Sequence, residues 1–529
     1  MELAIQPFPA RKRASISTAK IAYFAGDFER CLDICASLRL HNPTTASEVA
    51  LLTARAYLRT GRPREAQKTI AETRATHVTL DAALTARMLE ATALVRQGQP
   101  DTGIAMLEEA ARDSNDAHFA IRSEIALCTA LGYWAKREID AAETYLIMVD
   151  PRSDIIHARA LELQAWCHTV RHDYRQAAVF FQLTLLRLDD CEASDGAVTA
   201  TAISTLAIYA AELFDPGISG FLERRAQRLD WSSGLLELQY VTLEHQALFE
   251  QFVGNTLRAY TFAAQAQETA STIPDQVCGW ALRSDIASAA GEGYCATVFG
   301  QRAQDVLETL DTGALDGEQR FVLLRVAECC ARLRPGEATQ LFMRYNELGP
   351  IDIMSSASGD PRRAAYEAFV AGVVDQARGN RDQAQAFYRS AFDSFRVLGY
   401  VRRAIIAAHA FLKLAESEDL RSYIATQMGQ TANYITRSLE NPVAELIASL
   451  ERHPVVASLP RTQRGIVVLV CLGKSNKEIA HLRSVGEQTI KNVLTKSIFP
   501  AFAVSSRAAL LGLLLLRDGQ ATKTEIAFN

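Results

Sequence analysis

The sequence predicts an all-α protein: a right-handed solenoid of helical hairpins followed by a small four-helix domain. Three observations predict it. Residues 17 to about 430 show almost no alternation of period two and repeat one pattern: an alanine-rich apolar stretch, a polar or glycine-containing turn, then a second apolar stretch that opens with a small residue. Successive turns lie about 35 to 45 residues apart, the spacing of two-helix repeat units. Near the C-terminus the logic changes, with Ser475 and Glu478 spaced as a capping box ahead of Ile479-Ala480.

The turns give the register of the hairpins. Gly26-Asp27-Phe28 precedes Cys31, Gly61-Arg62-Pro63 precedes Ala66, Gly98-Gln99-Pro100 precedes Gly103, Lys136-Arg137 precedes Ala141, and His172-Asp173-Tyr174 precedes Ala177. The series continues with Gly254-Asn255 before Ala259, Gly291-Glu292 before Ala296, Leu333-Arg334-Pro335 before Ala338, and Gly379-Asn380 before Ala384, with a less regular pair around Phe214 to Gly217. In each regular case the small residue stands five after the turn begins. Two antiparallel helices joined by a tight turn approach closely only where a side chain is small, one turn into the second helix. About ten hairpins are expected, stacked so that each buries the apolar face of the next.

This pattern resembles tetratricopeptide repeats, most closely over residues 19–43 and 372–397, where Gly379-Asn380-Arg381 is followed by Ala384, Phe387 and Tyr388. The resemblance implies a concave groove that takes a protein, a peptide or a small effector. Trp134, Trp166, Trp280, Tyr174 and Phe387 are expected to pack between helices, and Arg224, Arg225, Arg228 and Arg362-Arg363 are expected on solvated faces. The repeat domain is placed at residues 1–430 and a linker helix at 431–454, with Val443 to Arg452 helical after Asn441-Pro442 and stopped by Pro454. A helix-turn-helix domain at 455–520 and a tail at 521–529 complete the chain.

In the third of these regions the capping box starts a helix at Asn476 that runs to about Leu482 or Arg483, and Gly486 stands at the N-cap of the next. There Ile490, Leu494 and Ser497 or Ile498 share one face, while Gln488, Lys491, Asn492 and Thr495 share the other. Gln and Asn pair bidentately with adenine, Lys donates to guanine or phosphate, and a Thr methyl meets that of thymine.

The segment from about Leu459 to Leu516 resembles the helix-turn-helix of LuxR/NarL-type transcription regulators. The matching residues are Leu459, Arg464, Gly473, Ser475 to Ala480, Thr489, Lys491-Asn492, Val504 and Arg507. The resemblance implies double-stranded DNA as partner, with RNA polymerase a further one, and DNA contacts from Lys477, Gln488, Thr489, Lys491, Asn492, Thr495 and Lys496. It also implies a homodimer joined through the last helix, Ser506 to Leu516, by Leu510, Leu511 and Leu514. Some residues depart from the pattern. Thr462 and Gln463 replace Arg and Glu, Arg483 replaces a buried Leu, and Gly486 replaces a Ser. Gly465 lies inside a helix, at a cost of about 1 kcal/mol against alanine. One residue is inserted between Asn492 and Ile498, and Pro500 is expected to end the recognition helix early. These departures motivate the alternative expectation: an interaction scaffold or anti-regulator whose helix-turn-helix does not read DNA.

Charge fits a basic reader on an acidic body. The formal net charge is -5, yet residues 455–529 hold ten Lys/Arg against four Asp/Glu. Ten cysteines without a CxxC pair read as free thiols of a reducing, cytoplasmic compartment. Cys31 with Cys35, Cys329 with Cys330, and His168 with His172 lack the further ligands of a metal site. Gly473-Lys474-Ser475 imitates a phosphate loop, but Val468 stands where its first glycine is needed. No HExxH or GxSxG motif is present. The expectation is therefore no catalytic residue, no cofactor, no metal and no membrane span.

Overall fold

The computed structural model describes residues 15–428 and 454–510, apart from 39–41, 77–78, 190, 192–194, 232–234, 312, 314, 316–319, 332–333, 349–360, 472–474, 484, 505–506 and 508–509. All regular structure among the described residues is helical. The chain divides into two units, residues 1–210 with 215–242, and residues 211–214 with 243–529. The division falls inside the helical body rather than at its C-terminal end.

The first unit holds the hairpins α1 (Ile16–Phe24) and α2 (Phe28–Ser37), α3 (Pro43–Arg59) and α4 (Pro63–Thr73), α5 (Leu80–Arg96) and α6 (Pro100–Asp113), α7 (Phe119–Ala135) and α8 (Ile139–Leu146), and α9 (Asp154–Val170) and α10 (Tyr174–Asp189). Then come α11 (Gly196–Glu212), whose last two residues belong to the second unit, α12 (Pro216–Ala226) and the start of α13 (Leu236–Val253). In the five hairpins from α1 to α10 each helix packs on its partner, and α1, α3, α5, α7 and α9 pack in series on one another. Polar caps start several helices: Asn42 accepts from the Thr45 amide at 2.7 Å with Pro43 at the first helical position, and Thr79 accepts from the Ala82 amide at 3.2 Å.

The turns share one mechanism. A residue in the left-handed region ends the first helix, at Gly26, Gly61, Gly98, Arg137 and His172 here and at Gly254, Gly291, Gly379 and Gly399 in the second unit. The next amide donates back to the carbonyl five residues earlier, as from Arg62 to Tyr57 (2.8 Å), Glu138 to Tyr133 (3.0 Å) and Asn380 to Asp375 (2.9 Å), which satisfies the helix's last carbonyls. Five residues past each of these left-handed residues stands a buried small one: Cys31, Ala66, Gly103, Ala142, Ala177, Ala259, Ala296, Ala384 and Ala404; Phe214, at φ 54°, departs from the rule, with the partly exposed Ser219 five residues on. Gly103 is the extreme case, since a Cβ there would lie 2.6 Å from the Ala91 carbonyl oxygen.

One register is corrected by this rule. The fourth turn is set by Arg137, at φ 65°, rather than by Lys136, so the buried small residue is Ala142, with no exposure, and not Ala141. Gly399 sets a further turn, ahead of Ala404.

The second unit continues with α14 (Thr256–Thr269), α15 (Ile273–Ala289), α16 (Gly293–Leu307), α17 (Phe321–Cys330), α18 (Pro335–Glu347), α19 (Pro361–Ala377), α20 (Arg381–Val397), α21 (Val401–Leu412) and α22 (Glu418–Met428). Here the first helices of the hairpins carry buried ion pairs. Arg325 reaches Asp285 at 3.0 Å and Glu328 at 2.9 Å, and Tyr366 donates to Glu328 at 2.5 Å. Arg402, 3% exposed, pairs with Glu212, which Arg403 also approaches at 3.6 Å.

The last elements are α23 (Pro454–Ser458), α24 (Arg461–Cys471), α25 (Asn476–Leu482) and α26 (Glu487–Val493), which runs on through a π-helical turn at Leu494–Ile498 to Phe499–Ala501. Val456, Val467, Val470, Ile479, Ile490, Leu494, Ile498 and Leu510 form their core. The expected linker helix at 443–452 lies outside the described residues.

Candidate functional site

Two places gather the residues that can bind. The first is a cavity in the first unit whose wall comes from α1, α3, α5, α7 and α9, with residues just ahead of α9 and α11. It has two lobes of about 570 and 340 Å³, and Tyr23, Arg55, Glu124 and Arg159 line both. In the smaller lobe Arg55, Arg59, Arg96 and Arg159 meet Glu124 and Glu162 against a wall that includes Trp134 and Trp166.

These charges are unevenly matched. Arg55 grips Glu124 with both terminal nitrogens, one of them at 2.8 Å. Burial opposes both charges, and their mutual attraction prevails, so Arg55 is held above its usual range and Glu124 below its own. Arg59 stands 3.9 Å from Asp195, and Arg96 donates to the Leu58 carbonyl at 2.8 Å. Burial, then the positive charges of Arg59 and Arg159, pull Arg96 below its usual range. Burial pushes the Glu162 carboxyl up to about 7 against the pull of Arg59 and Arg159.

None of these six charged residues stands out as a motif in the sequence. The available signal was a charge inside an otherwise apolar first helix, as with Arg55 in Leu51-Leu52-Thr53-Ala54-Arg55-Ala56 and Arg159 between Ala158 and Ala160. The arginines singled out from sequence serve elsewhere. Arg225 pairs with Asp189 at 2.6 Å and lies 4.0 Å over Phe221, and Arg363 pairs with Glu367 at 2.8 Å.

The second place is the exposed face of α26. Gln488, Thr489, Lys491, Asn492, Thr495 and Lys496 are all exposed, opposite Ile490, Leu494 and Ile498, which are buried. Lys477 on α25 is exposed as well. Gln488 donates to Asn492 at 3.3 Å, Lys491 pairs with Glu487 at 2.9 Å, and the Thr495 hydroxyl donates to its own helix at the Lys491 carbonyl, 2.8 Å away. Gly486 caps the helix from an extended conformation.

Two expectations need correction here. Pro500 does not end α26 early: the helix runs through a π-helical turn, Pro500 sits in the final turn, and the helix ends at Ala501, with Ala503 beyond it at φ 52°. Leu510 has no exposure and packs in its own chain's core, so its side chain is not offered to a second copy. Leu511, Leu514, Gly473, Lys474 and the Glu478 carboxylate lie outside the described residues.

No protein-family model matches the chain, and no curated protein matches it. Among solved structures, it is similar to the APC/C hetero-tetramer Cut9–Hcn1, at 15% identity and a TM-score of 0.41 over 95% of this chain and 94% of that one. It is also similar to Naa15/Naa10 bound to HypK-THB, at 14% identity and a TM-score of 0.20 over 94% of this chain and 99% of that one. The assignment of a stack of helical hairpins rests on the turns and packing described above. No helix among the described residues is long and apolar enough to cross a membrane.

Proposed function

We propose that the chain is a non-catalytic helical-repeat binding protein, an interaction scaffold that holds a protein partner along the inner face of its hairpin stack. The observation that carries this is the wall of the first unit's cavity: the first helix of each of five successive hairpins lines it, and none of the second helices does. Such an arrangement leaves a continuous concave surface for a partner. The test is affinity capture by the full-length chain, by an inner-face variant (Leu51→Glu with Ala120→Glu), and by an outer-face variant (Val179→Glu). A partner kept by the wild type and the outer variant but lost by the inner variant supports the reading. Equal retention by all three rejects it.

A second reading is favoured by the exposed row on α26. In it, the same body governs a C-terminal helix-turn-helix that reads double-stranded DNA, as a dimer on an inverted repeat. Selection of sheared genomic DNA by the full-length protein, beside a Lys491→Ala, Asn492→Ala variant, tests it. Enrichment of a few related sites, lost in the variant, supports sequence reading. Unselective, salt-labile retention leaves the scaffold alone standing.

A further inference from the structure

We infer that the smaller lobe of the first unit's cavity binds a small organic acid, an apolar body carrying one carboxylate, with Arg159 as the principal contact. The inference rests on the inner face being a binding surface and adds to it the chemistry of one subsite. Its basis is a shortage of acceptors. Four guanidinium groups converge on one wall, and Arg55 alone among them holds a carboxylate in a two-pronged grip. Arg59 has its nearest carboxylate oxygen at 3.9 Å. Among the described residues Arg159 has no hydrogen bond and no ion pair, although it lines both lobes and is only partly accessible.

Charges partly withdrawn from water, as those of Arg55, Arg59 and Arg159 are, ordinarily find carboxylate partners. In the second unit each clustered arginine has a carboxylate within reach, Arg325 having those of Asp285 and Glu328 while Arg402 and Arg403 share that of Glu212, whereas Arg96 and Arg159 have none within 4 Å among the described residues. In the first unit burial, Arg59 and Arg159 pull Arg96 down, while against burial Tyr23, Asp195 and Glu124 act from a distance to hold Arg159 up without an ion pair to it. Glu162, with its carboxyl near 7, neutralises the cluster only in part at neutral pH.

The rest of the ligand follows from the wall. Leu89, Leu131, Leu163, Trp134 and Trp166 give the lobe an apolar side facing the charged one. A volume of about 340 Å³ lies in the range of small-ligand clefts. One negative charge suits the site better than two, because Glu124 and Glu162 share the wall and repel a dianion. A planar carboxylate also fits a guanidinium fork, the geometry Arg55 already uses with Glu124.

The test uses the full-length protein, with Trp134 and Trp166 as fluorescent reporters and calorimetry as the check. Probes are octanoate and phenylacetate, their uncharged amides, inorganic phosphate, and a short acetylated peptide with a free C-terminal carboxylate. Both acids are expected to saturate and to bind about tenfold or more tightly than their amides, the loss expected for one charge-assisted bond. Arg159→Met is expected to remove that preference and Arg159→Lys to restore part of it. Arg96→Met gives a second, more exposed position with the same direction of effect, should Arg159→Met fail to fold. Acids and amides binding alike, acids binding Arg159→Met undiminished, or no saturation by about 5 mM, a limit weaker than most single-site ligands, each overturns the inference. Binding of the peptide or phosphate in place of the free acids overturns it as well. If the acids fail while the inner-face variant still loses a captured partner, the subsite assignment falls and the scaffold reading stands. If the acids bind and capture is indifferent to the inner face, the scaffold reading falls alone.

Discussion

A methyl group on Gly465 would stand 1.7 Å from Nη2 of Arg483, and that nitrogen donates to the Thr462 carbonyl at 3.1 Å. Two residues that look like separate faults in a helix-turn-helix are therefore one feature. The arginine lies across α24 at the only kind of residue that leaves it room, and the helix bears glycine's weaker propensity there for the sake of that packing. The π-helical turn at Leu494–Ile498 likewise carries the helix on to Pro500.

The pair predicts a non-additive result. In the wild-type background Gly465→Ala gains about 1 kcal/mol of helix propensity and loses a similar amount by displacing the guanidinium, so the net change is small. In an Arg483→Ala background the same substitution stabilises by the full amount of about 1 kcal/mol. Hydrogen-exchange protection of the α24 amides in the full-length chain measures this locally. Equal effects in the two backgrounds would show that the residues do not share the space.

Much of the fold was legible because its turns announce themselves. A glycine free to take positive φ, followed at five residues by a small side chain, is visible in one dimension, and it located the turns at Gly26, Gly61, Gly98, Gly254, Gly291 and Gly379. The fourth turn lies one residue later than the pattern places it, because Arg137 holds the left-handed position without glycine's signature. The face of α26 was legible for the same reason, since helical spacing alone separates Ile490 and Leu494 from Gln488 and Lys491. The arginine-lined cavity was not. Arg55, Arg96 and Arg159 stand on three helices from different hairpins, and their convergence is produced by stacking.

The corrected register makes a test of its own. Ala142 has no exposure, whereas Ala141 is partly exposed beside it. Ala142→Leu is expected to destabilise the first unit by about 1 to 3 kcal/mol through overpacking, and Ala141→Leu by less than about 0.5 kcal/mol. Thermal unfolding of the two variants decides between them. The opposite order would restore Lys136 as the turn residue.

Removing Glu212 strands two guanidinium groups. Its carboxylate holds Arg402 and lies 3.6 Å from Arg403, and Arg402 is 3% exposed. Glu212→Ala is expected to cost about 3 to 5 kcal/mol, the usual result when one partner of a buried pair is deleted. Glu212→Ala combined with Arg402→Met should recover part of that loss, because the buried charge goes with its partner. Chemical denaturation of the single and double variants measures both, and a double variant no more stable than the single one would count against a buried pair.

Glu162 links stability to pH in a direction opposite to that of a salt-bridged carboxylate. Its carboxyl is pushed up to about 7, by burial first, from an ordinary value of 4.5. Between these values the folded chain holds a proton that the unfolded chain has released. Stability from this residue therefore falls as pH rises from about 4.5 to 7, and the penalty is complete above that window. Its ceiling is about 3 kcal/mol, and partial access to water reduces it. Arg59 and Arg159 face the same carboxyl and act to lower its value, while Asp195 acts to raise it. Glu162→Gln keeps the shape and removes the titration, so the variant is expected to be about 1 to 3 kcal/mol more stable than the wild type at pH 8 and equal to it near pH 4.5. Thermal unfolding of both proteins at the two pH values isolates the effect, since every other titrating group is common to the pair. A difference of the same size at both would place the cause in packing rather than in the proton.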